Sequence, residues 1–303
     1  MTERGDSAAR ADDWPVGGGE MGERTRAFDW ARTSVGPMDA WPRSLKTAVF
    51  IMLTTQYPML IWWGDELIHF YNDAYLPVLG KRHPDALGRP APEVWSEAWP
   101  LVGPQADAVM SSGRSYWNEE LLIVMTRNGY PEEVYMTFSY GPILGDDGSV
   151  GGVFCACTEE TQRVLGRRRL GTLQALADRA SEAKTVEEAC EIAASTLGEN
   201  PHDLPFVLLY LLDADGQRLA LAGAVGLAPG AAASPTHLAL GDPDLPWPFV
   251  EAVEMGQEIE VGLRHDVDAL PGGPWPEPAQ QAVVLPMARP GQAQVAGFVV
   301  AGV

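Results

Sequence analysis

The chain has 303 residues, 46% hydrophobic and 20% charged, the balance of a folded protein of about two ordinary domains. Its 41 acidic residues against 21 basic ones leave a net charge of −20, which excludes the basic face that nucleic acid requires and opposes binding to an anionic membrane surface. Three cysteines are too few for a disulfide framework and fit a reducing, cytoplasmic setting.

Taken in chain order, residues 1–25 mix charges of both signs with the run Gly17-Gly18-Gly19 and offer little but Trp14 to bury, so they are expected to form a disordered tail. They contain no apolar stretch of the kind a secretory signal needs. The apolar segment from Leu45 to Trp63 is broken by Lys46, Gln56 and Pro58, too often for a membrane span. Within it Leu45, Ala48, Val49, Met52 and Leu53 recur at helical spacing behind Pro42 and predict one amphipathic helix, ended by Pro58. A hairpin follows, Met59 to Trp63 and Leu67 to Tyr71 about Gly64-Asp65-Glu66. Asn72 and Asp73 are placed to cap a short helix that Gly80 closes.

Residues 88–104 lack a period and hold Trp95 and Trp99; Pro104 then opens a helix that Gly113 stops. Three strands come in series: Trp117 to Met125, Val134 to Tyr140 and Val150 to Cys157. The second places Val134, Met136, Phe138 and Tyr140 on one face and Tyr135, Thr137 and Ser139 on the other. Consecutive hairpins predict an antiparallel sheet with helices gathered to one side. From Thr158, read as an N-cap, a helix is expected to about Ala183, with Leu173, Leu176, Ala180 and Ala183 forming a short seam suited to a homodimer.

The rest repeats the theme. A helix carries Val186, Ala189, Cys190, Ala193 and Leu197, a hairpin joins Pro205–Leu212 to Arg218–Ala224, and a linker rich in Ala, Gly and Pro reaches Pro246. A helix (Trp247 to Met255), a strand (Glu258 to Val261) and a last hairpin about Arg289-Pro290-Gly291 complete it. The fold class is therefore α+β. Two domains, each with a central antiparallel sheet and flanking helices, are expected at 26–157 and 185–303, joined by a helix at 158–184. The chain stops inside the apolar run Gly297 to Val303, which predicts that more protein follows.

The first domain resembles a PAS domain. The resemblance rests on Asn72-Asp73-Ala74-Tyr75 after the second strand, Leu79-Gly80, Leu87-Gly88-Arg89-Pro90, and Gly151-Gly152-Val153-Phe154 in the last strand. The stretch Val35-Gly36-Pro37 to Trp41-Pro42 looks like the segment preceding such domains in bacterial sensor histidine kinases of PAS–GAF–kinase layout. Where PAS domains leave the sheet through Asp-Ile-Thr, Ala156-Cys157-Thr158-Glu159 is expected to stand, with Ala156 in the place of the Asp. The second domain is similar to a GAF domain by element order, without the terminal helix of that family. The resemblance implies a sensory input module, of a two-component histidine kinase or a related phosphatase, whose output domain lies outside this chain.

Catalytic chemistry has no carrier among the motifs. None of His69, His83, His202, His237 and His265 sits in a phosphoacceptor context, and neither a P-loop nor a Gly-x-Ser-x-Gly elbow occurs. The flavin-binding Asn-Cys-Arg segment of PAS photosensors, a bilin-binding cysteine and the cyclic-nucleotide signature of GAF domains are all absent. An axial haem ligand would have to be His69 or His83, and a structural role for either is the plainer reading. Cys155 and Cys157 point to one face of a strand and are read as packing residues, with no metal set. Eight of the ten tryptophans precede residue 118. Trp62, Tyr71, Asn72, Trp95, Trp99 and Trp117, with Trp63, form either the wall of an apolar pocket for a small-molecule signal or ordinary core beside a partner surface. Three readings stay open: a signal-binding input module, a ligand-free dimerisation module, and a haem or redox sensor. No cofactor is identified by these residues.

Overall fold

The computed structural model describes residues 14–263, 270–288 and 294–303. The start of the expected tail (1–13), His265 and the turn Arg289-Pro290-Gly291 lie outside the described residues. The chain separates into two compact units between Val164 and Leu165.

The first unit opens with α1 (Gly19–Ala27), most of which falls in the stretch 1–25 expected to be disordered. Met21 and Thr25 are fully buried there. The cause is a cap supplied from far along the chain: the Asp73 carboxylate accepts from the backbone N–H groups of Glu20 (3.0 Å) and Met21 (2.7 Å), satisfying amides that a helix start leaves open. A Cβ on Gly19 would fall 1.9 Å from Asp73 Oδ2, so the glycine run allows the carboxylate its approach. Two 3-10 turns, Trp30–Arg32 and Met38–Ala40, then lay Trp30 and Trp41 over Phe70 at ring separations of 4.5 and 5.5 Å.

Next come α2 (Arg43–Thr54), β1 (Met59–Trp63) and β2 (Ile68–Tyr71), as the periodicity predicts. The short helices α3 (Leu76–Leu79) and α4 (Ala91–Val94) lead to α5 (Trp99–Ser112). That helix starts at Trp99 and not at Pro104, because Pro100 already fills its first turn and Pro104 sits inside it. Gly113 ends it in the left-handed conformation, with φ at 67°.

Strands β3 (Tyr116–Met125), β4 (Glu132–Leu144) and β5 (Val150–Glu159) complete an antiparallel sheet of order β2-β1-β5-β4-β3. Val134, Met136, Phe138 and Tyr140 are all buried, as the alternation requires. Gly152 is needed where β5 crosses β1, since a Cβ there would fall 2.6 Å from the Trp62 carbonyl oxygen. The helix expected from Thr158 begins later. Thr158 pairs with Thr137 in the sheet, its hydroxyl bonds that of Tyr57, and α6 (Thr161–Ala180) starts after Glu160.

Most of α6 belongs to the second unit, where α7 (Val186–Gly198) follows, capped by the Thr185 hydroxyl on the Glu188 N–H. Then come β6 (Val207–Leu212), β7 (Arg218–Val225), β8 (His237–Ala239), α8 (Phe249–Met255), β9 (Ile259–Gly262), β10 (Gln281–Ala288) and β11 (Val295–Gly302). The sheet order is β8-β7-β6-β11-β10-β9, again antiparallel. Strand β8 lies within the stretch read from sequence as linker. Phe206, Tyr210, Phe249 and Phe298 are fully buried at its core. The α+β class with two antiparallel sheets therefore holds. Among the described residues, no helix is long and apolar enough to cross a membrane.

Candidate functional site

The first unit holds a cavity between its sheet and the helical segment from Tyr75 to Val102. Strand β1 contributes Leu60 and Trp62, β3 Ile123 and Met125, β4 Met136, Phe138 and Tyr140, and β5 Cys155 and Cys157; Tyr75, Val78, Trp95, Ala98 and Val102 close the other side. Each strand contributes alternate residues, because side chains two apart share a face. The hollow has a cavity volume of about 40 Å³. That is room for a few waters or one small molecule. It is far below what a haem or a flavin would displace, so these residues do not fit either group.

The seven residues singled out from sequence separate on this geometry; Trp63 is buried but is not among the wall residues. Trp62 and Trp95 are in the wall. Trp99 stands behind Trp62, with ring centroids 5.5 Å apart. Tyr71 is buried behind the wall, its hydroxyl bonded to His83 Nδ1 (3.0 Å) and donating to the Pro84 carbonyl (3.3 Å). Asn72 neither faces the cavity nor caps the helix after it. Its side-chain nitrogen reaches the carbonyls of Met52 (3.0 Å), Thr55 (2.9 Å) and Tyr57 (2.8 Å), and its Oδ1 accepts from the Met59 N–H (3.1 Å), which stitches the end of α2 to β1. Trp117 is 66% exposed. It pairs with Ser139, on the opposite face of β4 from Phe138 and Tyr140.

Sequence reasoning missed the other polar members of the wall. Burial pushes the Tyr75 and Tyr140 phenols and the Cys155 thiol above their usual ranges, and the neighbouring Cys157 adds to it in each case. All three stay protonated and neutral. Their signal was the alternation of β4 and β5, which puts Tyr140, Cys155 and Cys157 on the inner face.

His69 sits in an aromatic nest, 5.3 Å from Tyr71, 6.1 Å from Tyr75, 6.4 Å from Trp95 and 6.5 Å from Trp62 by ring centroids. Neither ring nitrogen has a hydrogen-bond partner, and burial pushes its pKa down to about 3, so it is a neutral imidazole. His83 bonds Tyr71 through one nitrogen and Glu20 (3.0 Å) through the other, which leaves it no free nitrogen for a haem iron.

Outside the cavity, Arg82 lies over the Trp95 ring at 4.7 Å and is held by the Glu97 carboxylate and the Thr126 hydroxyl. Next to Thr126, Arg127 makes a two-point bond to Glu159 at 2.7 and 3.0 Å. Burial alone would raise the Glu159 carboxyl, yet the Arg127 bonds and charge hold it below the usual carboxylate range. Glu159 also accepts from the Thr161 hydroxyl (3.0 Å), which in turn accepts from the Tyr135 N–H (3.1 Å). An acidic contact at the exit of the sheet is thus made by Glu159, three residues beyond Ala156.

The PAS fold family matches residues 59–165. No curated protein matches the chain. Among solved structures, the GAF domain of an Acinetobacter phosphoenolpyruvate-protein phosphotransferase is 16% identical, covering 44% of this chain and 76% of that one, with a TM-score of 0.33. A sensory box sensor histidine kinase from Vibrio cholerae is 15% identical over 39% of this chain and 87% of that one, with a TM-score of 0.27. The chromophore-binding domain of a Stigmatella aurantiaca bacteriophytochrome is 14% identical over 82% of this chain and 85% of that one, with a TM-score of 0.29. Residues 59–165, which hold all five strands of the first sheet and every residue in the cavity wall, match the PAS fold.

Proposed function

We propose that the chain is the sensory input module of a bacterial signal-transduction protein, with a PAS-type domain followed by a GAF-type domain that share α6. The observation that carries this reading is the continuity of β5. Cys155 and Cys157 wall the cavity, and two residues on Glu159 ties the same strand to Arg127 and to the first turn of α6. A small molecule that shifts the wall therefore acts on the strand that leads into the helix, and the helix carries the change onward. A packed interior transmits small displacements because it has little free volume to absorb them.

The output domain of this proposal is a histidine kinase domain, or a related phosphatase, outside this chain. The protein works in the cytoplasm as a homodimer, which the exposed Leu170 and Leu173 on α6 support. If those leucines serve pairing alone, the module dimerises without a ligand; the experiment below separates the two. Ala98→Leu fills the cavity from its own wall. Amide hydrogen exchange in α6 is expected to change with it. A change confined to the cavity strands, with α6 unaltered, would refute transmission and leave the dimerisation reading.

A further inference from the structure

The buried tryptophans differ in one respect that bears on what the cavity holds. Trp30 donates its indole N–H to the Thr25 carbonyl (2.7 Å), Trp41 to Gly36 (2.9 Å) and Trp247 to Ala233 (2.8 Å). Trp62 and Trp95, both in the cavity wall, have indole nitrogens that are buried and bonded to nothing. Buried donors are ordinarily paired, so two orphans at one cavity mark a missing acceptor.

The rest of the wall says which acceptor. The hydroxyls of Tyr75 and Tyr140 add further hydrogen donors, while the Cys157 thiol is spent on the Pro58 carbonyl (3.9 Å). No carboxylate, amide or cationic side chain is among the wall residues. The nearest guanidinium, Arg82, lies on the Trp95 ring and is engaged by Glu97. An anionic ligand would be stripped of water with no counter-charge in the wall. A ligand that only donates would leave Trp62 and Trp95 as they are. Leu60, Val78, Val102, Ile123 and Met136 favour an apolar body.

Resting on the reading of this cavity as a signal site, we propose that its ligand is a small uncharged molecule with a carbonyl-type acceptor on an apolar body, held by the indole N–H groups of Trp62 and Trp95. The few waters' worth of space sets its size at a handful of non-hydrogen atoms.

Cyclopentanone, cyclopentane and cyclopentanecarboxylate test acceptor, body and charge separately. The whole chain, labelled with ¹⁵N at tryptophan, is titrated with each, and the indole N–H signals of Trp62 and Trp95 are assigned by loss in Trp62→Phe and Trp95→Phe. The ketone is expected to move those two signals saturably and to bind about tenfold more tightly than the hydrocarbon, the effect of one net hydrogen bond. The carboxylate is expected not to bind. Equal affinity for ketone and hydrocarbon, or a bound ketone that leaves both signals in place, would overturn the acceptor proposal while keeping the cavity as a binding site. Tight binding of the carboxylate would overturn the exclusion of charge. If none of the three binds, both the ligand class and the signal-site reading fail. The ketone-to-hydrocarbon comparison uses the unaltered protein and stands even if a tryptophan variant does not fold.

Discussion

In the second unit, buried aromatic side chains with a polar atom find a backbone partner: the Tyr210 hydroxyl donates to the Pro235 carbonyl at 3.0 Å and the Trp247 indole to Ala233 at 2.8 Å. Phe206, Phe249 and Phe298 fill the space between. In the first unit, Trp62, Trp95 and His69 are as deeply buried and their ring nitrogens have no partner. Both sheets are antiparallel and both cores are aromatic, so neither architecture nor composition separates them. Polar satisfaction does. A core built only for stability has no use for orphaned donors, whose burial costs about 1–3 kcal/mol each. Among the described aromatic side chains the second core is closed in this sense, its one orphaned buried atom being the Asn200 Oδ1 acceptor, and the first is left incomplete around a hollow.

The largest expected effect tests the closed core. Phe298→Ala should lower the stability of the second unit by about 3–5 kcal/mol in denaturant unfolding, because a fully buried ring leaves a cavity that close packing cannot refill. A much smaller loss would mean that this core is as loose as the first.

Acid should find the first unit next. The folded-state pKa of His69 lies near 3, against 6.5 unfolded. The unfolded chain therefore takes up a proton first, and stability that is full above pH 6.5 drains by about 1.4 kcal/mol per pH unit as the pH falls toward 3. His69→Phe should flatten that slope, read as melting temperature between pH 6.5 and 4.5. A slope unchanged in the variant would assign the loss to other groups. The lowered Glu159 carboxyl belongs to a different window: its stabilisation is present above pH 4.5 and goes only as the pH falls below that.

At neutral pH, Glu159→Gln should cost about 2 kcal/mol, the worth of hydrogen bonds to a partly buried charge, and should speed amide exchange at the first turn of α6. Exchange that stays slow would show that Thr161 alone anchors the helix. The comparison of the two cores is sharpened by paired substitutions. Trp247→Phe forfeits a hydrogen bond and Trp62→Phe does not, so the former should cost about 1 kcal/mol more than the latter in otherwise similar burial. The smallest effect on stability is expected for Leu173→Glu. Its side chain is 63% exposed, so stability should change by less than about 0.5 kcal/mol. Sedimentation should nevertheless show weaker self-association, and an unaltered sedimentation profile would remove α6 as a dimer seam.

Much of the fold was legible because its signals are local. Pro58 and Gly64 bracket β1, strict alternation gives β4, and Gly113 ends α5. What escaped was set by distant partners. Helix α1 has a poor local signature and depends on Asp73, more than fifty positions away. Strand β8 is three residues long and exists through its pairing with β7. The site was half legible for the same reason. Aromatic crowding pointed to Trp62 and Trp95 but gave Trp117 equal weight. Parity would have set it apart: Trp117 faces with Ser139 and Thr137, the outward set of β4. Asn72 looked like a cap, since Asn before a helix often is one, and only the fold shows its amide spent on three carbonyls of the preceding connection.

The aromatic lid over Phe70 changes how this unit can be cut. The family match begins at residue 59, yet Trp30 stacks on Phe70 at 4.5 Å with an interplanar angle of 12°, Trp41 meets the same ring edge-on, and the Asp146 carboxylate in the β4–β5 turn holds the Arg43 and Ser44 amides that start α2. A fragment begun at 59 would bare the back of β2 to water and expose an aromatic surface fit for clumping. The inheritable segment and the autonomously folding one are different lengths, and a shortened protein meant for ligand work has to keep the forty-odd residues ahead of the match.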